Sequence, residues 1–219
     1  MGGRGSNAIK RKIQGYIKGE IGNIGFVQPI PLAGMNVDVA NGVTSRKTLD
    51  FIEKQYKKGM GKEQLQILDG DGWVIGAYQG QRHNVAFPPG EITGRVATHN
   101  HPQGWGGTFS EADISSLKER PREMRASAAE GVYSMKATGR ARAEAFYNAL
   151  EKAMPRIEQQ MHRAALKSFT TRVPKIANPK SRAIVLRRDA LNPLHRWYQR
   201  NASKYGFEYS FTRNKGFKI

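Results

Sequence analysis

A mixed α/β fold, a sheet flanked by helices, follows from three features of the sequence. Segments of period-two hydrophobicity alternate with segments of helical period, so neither an all-helical nor an all-strand core accounts for the chain. Turn signals separate them, as at Asp69-Gly70-Asp71-Gly72 and Pro88-Pro89-Gly90. The 219 residues, 38% hydrophobic and 25% charged, suffice for one good-sized core, and no apolar run approaches the ~20 residues of a membrane span.

The elements follow in order. Residues 1–42 are Gly-rich and weakly periodic, opening on Gly2-Gly3-Arg4-Gly5-Ser6, and read as an N-terminal arm. Ile21 to Val37 has room for one or two short strands, split by Pro29 and Pro31. Ser45 is a candidate cap for a helix with apolar positions Leu49, Phe51, Ile52 and Tyr56, stopping at Gly59. Glu63 to Ile67 alternates like a half-buried strand, and Trp73 to Tyr78 returns as its hairpin partner. Asn84 to Phe87 predicts a further short strand, and Ile92 to Thr98 a buried one. Ser110 caps the next helix, with Ile114 and Leu117 facing inward. Glu123 to Ala137 predicts a strand pair turning near Glu130-Gly131. A long helix runs from Ala141 to about Ser168, with a kink expected at Pro155. After a basic stretch over 172–192 come a helix at Leu194–Lys204 and a strand at Phe207–Thr212.

Charge is partitioned along the chain. Residues 1–60 carry ten Lys/Arg against four Asp/Glu, residues 61–120 five against seven, and residues 121–219 twenty-one against seven. The net values are +6, −2 and +14, which make up the total of +18. A uniformly basic nucleic-acid module would not isolate an acidic middle third, whereas a distinct core with a basic extension would. The sequence therefore divides into the arm 1–42, a middle domain over 43–140 and a basic, α-rich C-terminal extension over 141–219.

With no cysteine, disulfides, thiolate metal sites and cysteine nucleophiles are excluded. A metal site must use His, Asp and Glu, and among five histidines only His99 and His101 are close. Positions i and i+2 of an extended strand share a face, roughly 6–7 Å apart, so both imidazoles can converge on one ion. Asp113, on the first turn of the next helix, supplies a third ligand if a short loop brings it back. Two His and one carboxylate leave a fourth, water-holding position open on tetrahedral zinc, the mark of a catalytic site. Ser110, three residues before Asp113, offers an oxyanion donor.

These residues resemble a family. His99-Asn100-His101-Pro102 followed by Ser110-Glu111-Ala112-Asp113 is similar to the JAMM motif of JAB/MPN-type zinc metallopeptidases, with a Glu well upstream. The wording around the motif also resembles JAB-like domains of phage-encoded and toxin-associated proteins. The resemblance covers roughly residues 45–140 and implies a curved sheet flanked by helices. It further implies a Zn2+ cofactor held by His99, His101 and Asp113, with Ser110 stabilising the oxyanion. The implied activity is hydrolysis of a peptide or isopeptide bond, with a protein, peptide or ubiquitin-like conjugate as substrate. One departure is the loop Gln103–Phe109, seven residues long where the common pattern has six.

The general base must be a Glu that is not a ligand. Glu91, eight residues before His99, would stand about 26 Å away in an extended chain. Glu53 falls on the outward part of its helix, between Lys54 and Lys57. Glu63 opens a strand on the inward face of Leu65 and Ile67, and the family's order of helix then Glu-strand matches it, so Glu63 is the predicted base. Trp105, in the loop between ligand and serine, either lines the substrate cleft or pins the loop to the core.

The basic extension has two readings, contact with nucleic acid or another acidic partner, and a solvated helix face. An alternative to an enzyme is accordingly a catalytically silent virion or nucleic-acid-associated protein that keeps the fold. The absence of cysteine, of an apolar leader and of a membrane span predicts a cytoplasmic location, in a bacterial host cell on the phage resemblance.

Overall fold

A computed structural model describes residues 30–31, 45–56, 61–72, 74–81, 84–102 and 107–215. The expected Ser45 cap, the strand signals of 21–37 apart from Ile30–Pro31, and Trp105 lie outside the described residues or side chains.

The strands are β1 (Ile30–Pro31), β2 (Gln64–Leu68), β3 (Val74–Gln79), β4 (Val96–Asn100), β5 (Glu123–Ser127), β6 (Gly131–Ala137) and β7 (Phe207–Arg213). The α-helices are α1 (Ser45–Tyr56), α2 (Glu111–Ser116), α3 (Ala143–Thr171) and α4 (Pro179–Asn201). The strands form one mixed sheet in the order β1-β3-β2-β4-β5-β6-β7. Only β4 and β5 run parallel, since α2 lies on the crossover between them.

The hairpin β2–β3 forms as expected. Asp69 Oδ1 accepts the Asp71 amide, and Gly72 at φ 91° takes a conformation that suits glycine. β2 differs from expectation in being buried on both faces. Leu65 and Ile67 enter the main core, while Leu68 joins Leu49, Ile52, Tyr56 and Val96 under α1. Asn84 to Phe87 forms no strand, and the strand expected from Ile92 begins only at Val96, after turns over 89–94.

Glu53 corrects the reading that α1 turns it outward. Its side chain is buried, and both carboxylate oxygens accept from Arg125 on β5, at 2.6 and 3.2 Å. The flanking lysines gave an exposed appearance, but the partner lies 72 residues away and no local pattern announces it.

The segment beyond residue 140 is part of the same core rather than an appendage. Phe146, Leu150, Ile157 and Met161 line one face of α3, and Leu191, Leu194 and Tyr198 one face of α4. They share a single cluster with Leu65, Ile67, Ile114 and Met124. β7 then pairs with β6 from Gly131↔Arg213 to Ala137↔Phe207. α4 also starts earlier than expected, because Pro179 sits in its first turn and Asn178 caps it by accepting the Lys180 and Ser181 amides. Each large apolar side chain fully buried here contributes about 1.5–3 kcal/mol.

Candidate metal centre

Register brings the site together. On β4, His99 stands opposite Leu65 of β2, so the face carrying Leu65 and Glu63 is also the face of His99 and His101. The strands part just there, and Asn100 bridges the gap. Its Oδ1 accepts the Gln64 amide at 2.6 Å and its Nδ2 donates to Lys62 O at 3.1 Å. The bonds on either side of Glu63 hold that residue beside the histidines. Sequence reading gave Asn100, between the two histidines, no role of its own.

His99 Nε2 lies 3.2 Å from His101 Nε2 and 3.3 Å from Asp113 Oδ1, and His101 Nε2 lies 3.8 Å from Asp113 Oδ2. His101 Nδ1 is 3.1 Å from Gly107 O, which can only accept, so Nδ1 carries the hydrogen and Nε2 points inward. Two inward imidazole nitrogens and a carboxylate at this range are held together by a proton or a cation between them. A tetrahedral zinc with bonds of about 2.0–2.1 Å has ligand atoms about 3.3 Å apart, the spacing of His99 from His101 and from Asp113. The residues therefore fit a metal ion.

Asp113 is held by the start of α2. Ser110 caps the helix, its Oγ accepting the Asp113 amide at 3.2 Å. In return Asp113 Oδ2 accepts from the Ser110 amide at 2.7 Å and from the Ser110 hydroxyl at 2.9 Å. This reciprocal capping box fixes the carboxylate on the imidazole side. Burial would raise the Asp113 carboxyl, but the two imidazoles outweigh it and hold it well below the usual range.

Glu63 is the second acid of the cluster. One of its carboxylate oxygens and the two imidazole nitrogens lie within 4.8 Å of one another, so this trio too could hold a metal ion. Asp113, however, makes the ion pairs with the histidines, whereas Glu63 Oε2 is buried with no hydrogen-bond partner among the described residues. Burial pushes the Glu63 carboxyl up to about 8, with Asp113 adding to the rise and His101 opposing it. A carboxyl raised in this way, beside two imidazoles and Asp113, can exchange a proton near neutral pH.

The loop carrying Ser110 is clamped from α4 and β7. Tyr198 Oη donates to Phe109 O, and Thr108 Oγ1 bonds Tyr209 Oη, which also meets His195 Nδ1. At Gly107 (φ 132°) an added Cβ would stand 2.0 Å from Leu191 Cδ1. Sequence reading missed this clamp. It also missed Glu130, buried at the β5–β6 turn beside His101, which accepts from Tyr133 Oη at 2.9 Å. Of the other candidates, Glu91 accepts from Tyr78 Oη at a turn and Glu53 is committed to Arg125.

Scans of the chain against protein-family models, curated proteins and solved structures returned no match. Among the described residues no helix is long and apolar enough to cross a membrane.

Asn100→Ala is expected to leave Gln64 N and Lys62 O without their partners and to let Glu63 drift. Stability should fall by about 1–3 kcal/mol. Any turnover should fall about 10-fold or more, as misplacement of a reacting group does. The stoichiometry of any bound metal should stay unchanged, and metal analysis beside steady-state kinetics checks the pair.

Proposed function

We propose that this chain is a zinc-dependent hydrolase of peptide or isopeptide bonds, with a JAMM-like site on a JAB/MPN-like fold. The observation that carries the reading is the convergence of His99, His101 and Asp113, a complete two-His, one-carboxylate set, beside the buried Glu63, whose Oε2 has no hydrogen-bond partner among the described residues. The motif resemblance and the mixed sheet flanked by helices support it.

His99, His101 and Asp113 would hold the ion. Zinc there supplies a Lewis acid for a scissile carbonyl and lowers the pKa of water toward neutrality. Glu63 takes the proton of the attacking water and delivers it to the leaving amine, a transfer suited to a carboxyl near the working pH. Ser110 supplies the donor for the developing oxyanion. Its hydroxyl is bonded to Asp113 Oδ2, but that oxygen is also held by the Ser110 amide. The hydroxyl can therefore turn to substrate without releasing the carboxylate. The Gly107–Phe109 clamp keeps Ser110 in place as it does so.

The test is metal analysis with an assay on peptides and isopeptide-linked peptides. About one zinc per chain is expected, with cleavage lost on chelation and restored by zinc alone. A protein that binds one zinc yet cleaves none of a broad panel would be a metal-holding structural protein, and the hydrolase reading would be lost.

A further inference from the structure

We infer that the exposed groove between α3 and α4 binds the phosphate backbone of a single-stranded nucleic acid. The groove encloses about 560 Å³ and is lined by Arg156 and Gln160 of α3 with Asn192, Arg196, Trp197 and Arg200 of α4. Among the described residues no carboxylate lines it. Arg156, Arg196 and Arg200 are exposed and make no ion pair among the described residues.

The placement of charge separates this groove from an ordinary solvated face, in which acids and bases interleave at i, i+4. On α3, Lys152, Arg156, Arg163 and Lys167 fall on one stripe, and Glu144, Glu151 and Glu158 on another. At 3.6 residues per turn the stripes are about 140° apart. On α4, Arg188, Asn192, Arg196 and Arg200 succeed one another every four residues, a row with steps of about 6 Å. The one carboxylate of α4, Asp189, is engaged by Ser168, Arg172 and Arg188 and neutralises none of the groove arginines. Asn192 also lines a second cavity, of about 330 Å³, that reaches Arg172, Arg188, Asp189, Glu130 and the Gly107–Thr108 segment. There Arg172 and Arg188 are paired with Asp189, so among the described residues the unpaired cations of the row are Arg196 and Arg200, with Arg156 facing them from α3.

The other groups in the groove favour nucleic acid over an acidic polypeptide. Trp197 is fixed by stacking on Phe146 at 5.5 Å, a preset aromatic of the kind on which bases stack regardless of sequence. Gln160 and Asn192 offer both donors and acceptors, which suit base edges and sugars. Arginine forks match phosphate oxygens in pairs. This inference does not depend on the hydrolase reading.

The test uses the full chain and a fluorescent oligothymidylate, with anisotropy read across a range of salt concentrations. Wild type should bind, and R156Q/R196Q/R200Q should bind at least about 10-fold more weakly. The variant's log Kd against log salt slope should be shallower by about 2, since each phosphate contact contributes about 0.7 for a single strand. Zinc content and thermal stability of the variant should match wild type. A control, R122Q/K136Q/R140Q, removes the same charge from exposed residues elsewhere. The inference is overturned by absent binding at low salt, by equal weakening in the control, or by polyglutamate of equal charge competing as well as the oligonucleotide.

Discussion

Glu63→Gln is expected to lower turnover by about 10³-fold, the middle of the range for loss of a general acid–base group, while zinc stoichiometry stays at the wild-type value. The amide keeps the shape of the side chain but cannot take a proton. If Glu63 were instead the third ligand, metal would be lost together with activity, so parallel metal analysis separates the two roles. The same variant carries a stability signature. In the metal-free protein the folded carboxyl is raised to about 8 from an ordinary 4.5. The unfolded chain therefore releases the proton at lower pH than the folded one. Stability is fully present below about 4.5 and is lost as pH rises through about 8. The loss is roughly 3–5 kcal/mol at 1.36 kcal/mol per pH unit. Glu63→Gln abolishes that dependence, so the metal-free variant should be more stable than metal-free wild type at pH 8 and no more stable at pH 4. Urea unfolding at the two pH values in the presence of chelator reads the difference. A variant that kept full activity would sink Glu63 as the base.

Glu63 is an acid that sequence alone marked out. Glu63 sits at inward parity with Leu65 and Ile67, and an inward acid is legible wherever a strand alternates cleanly. Glu53 has the same chemistry and was misread, because a helix flanked by lysines looks exposed and Arg125 is remote in sequence. The convergence of His99, His101 and Asp113 and the Ser110 cap were legible because residue spacing and capping are local. Asn100, Tyr198 and Tyr209 were not, since each acts through a contact with a distant segment, and nor was Gly107, whose lack of a side chain makes room for the distant Leu191. The strand at 207–213 was visible as a strand, but alternation cannot say that it adds to β6. Hence 141–219 read as an extension, although its apolar stripes complete the core and its Tyr198 and Tyr209 hold the loop of the metal centre.

Asp113→Asn should have the second large effect, on metal affinity. Removal of an outer partner of a metal ligand typically costs 10–100-fold. Loss of a charged ligand should exceed that, so zinc affinity is expected to fall by more than about 100-fold. Competition with a chromogenic chelator measures it. Unlike Glu63→Gln, this variant should lose metal and turnover together, and excess zinc should restore part of both. Its pH signature is also opposite in sense. The Asp113 carboxyl is held well below its ordinary 3.8 by the imidazoles, so its contribution to stability is present above that value and lost only as pH falls below it. At pH 7 the variant should consequently be less stable than wild type, through the lost ion pairs with His99 and His101 and a weakened bond to the Ser110 amide. Ser110→Ala separates these contributions. It removes the cap and one hydrogen bond to Oδ2 but leaves the carboxylate and the Ser110 amide in place, so it should cost about 1 kcal/mol. Zinc affinity should change far less than in Asp113→Asn. If Ser110→Ala and Asp113→Asn lost zinc equally, the carboxylate would be acting through the helix cap and not as a ligand.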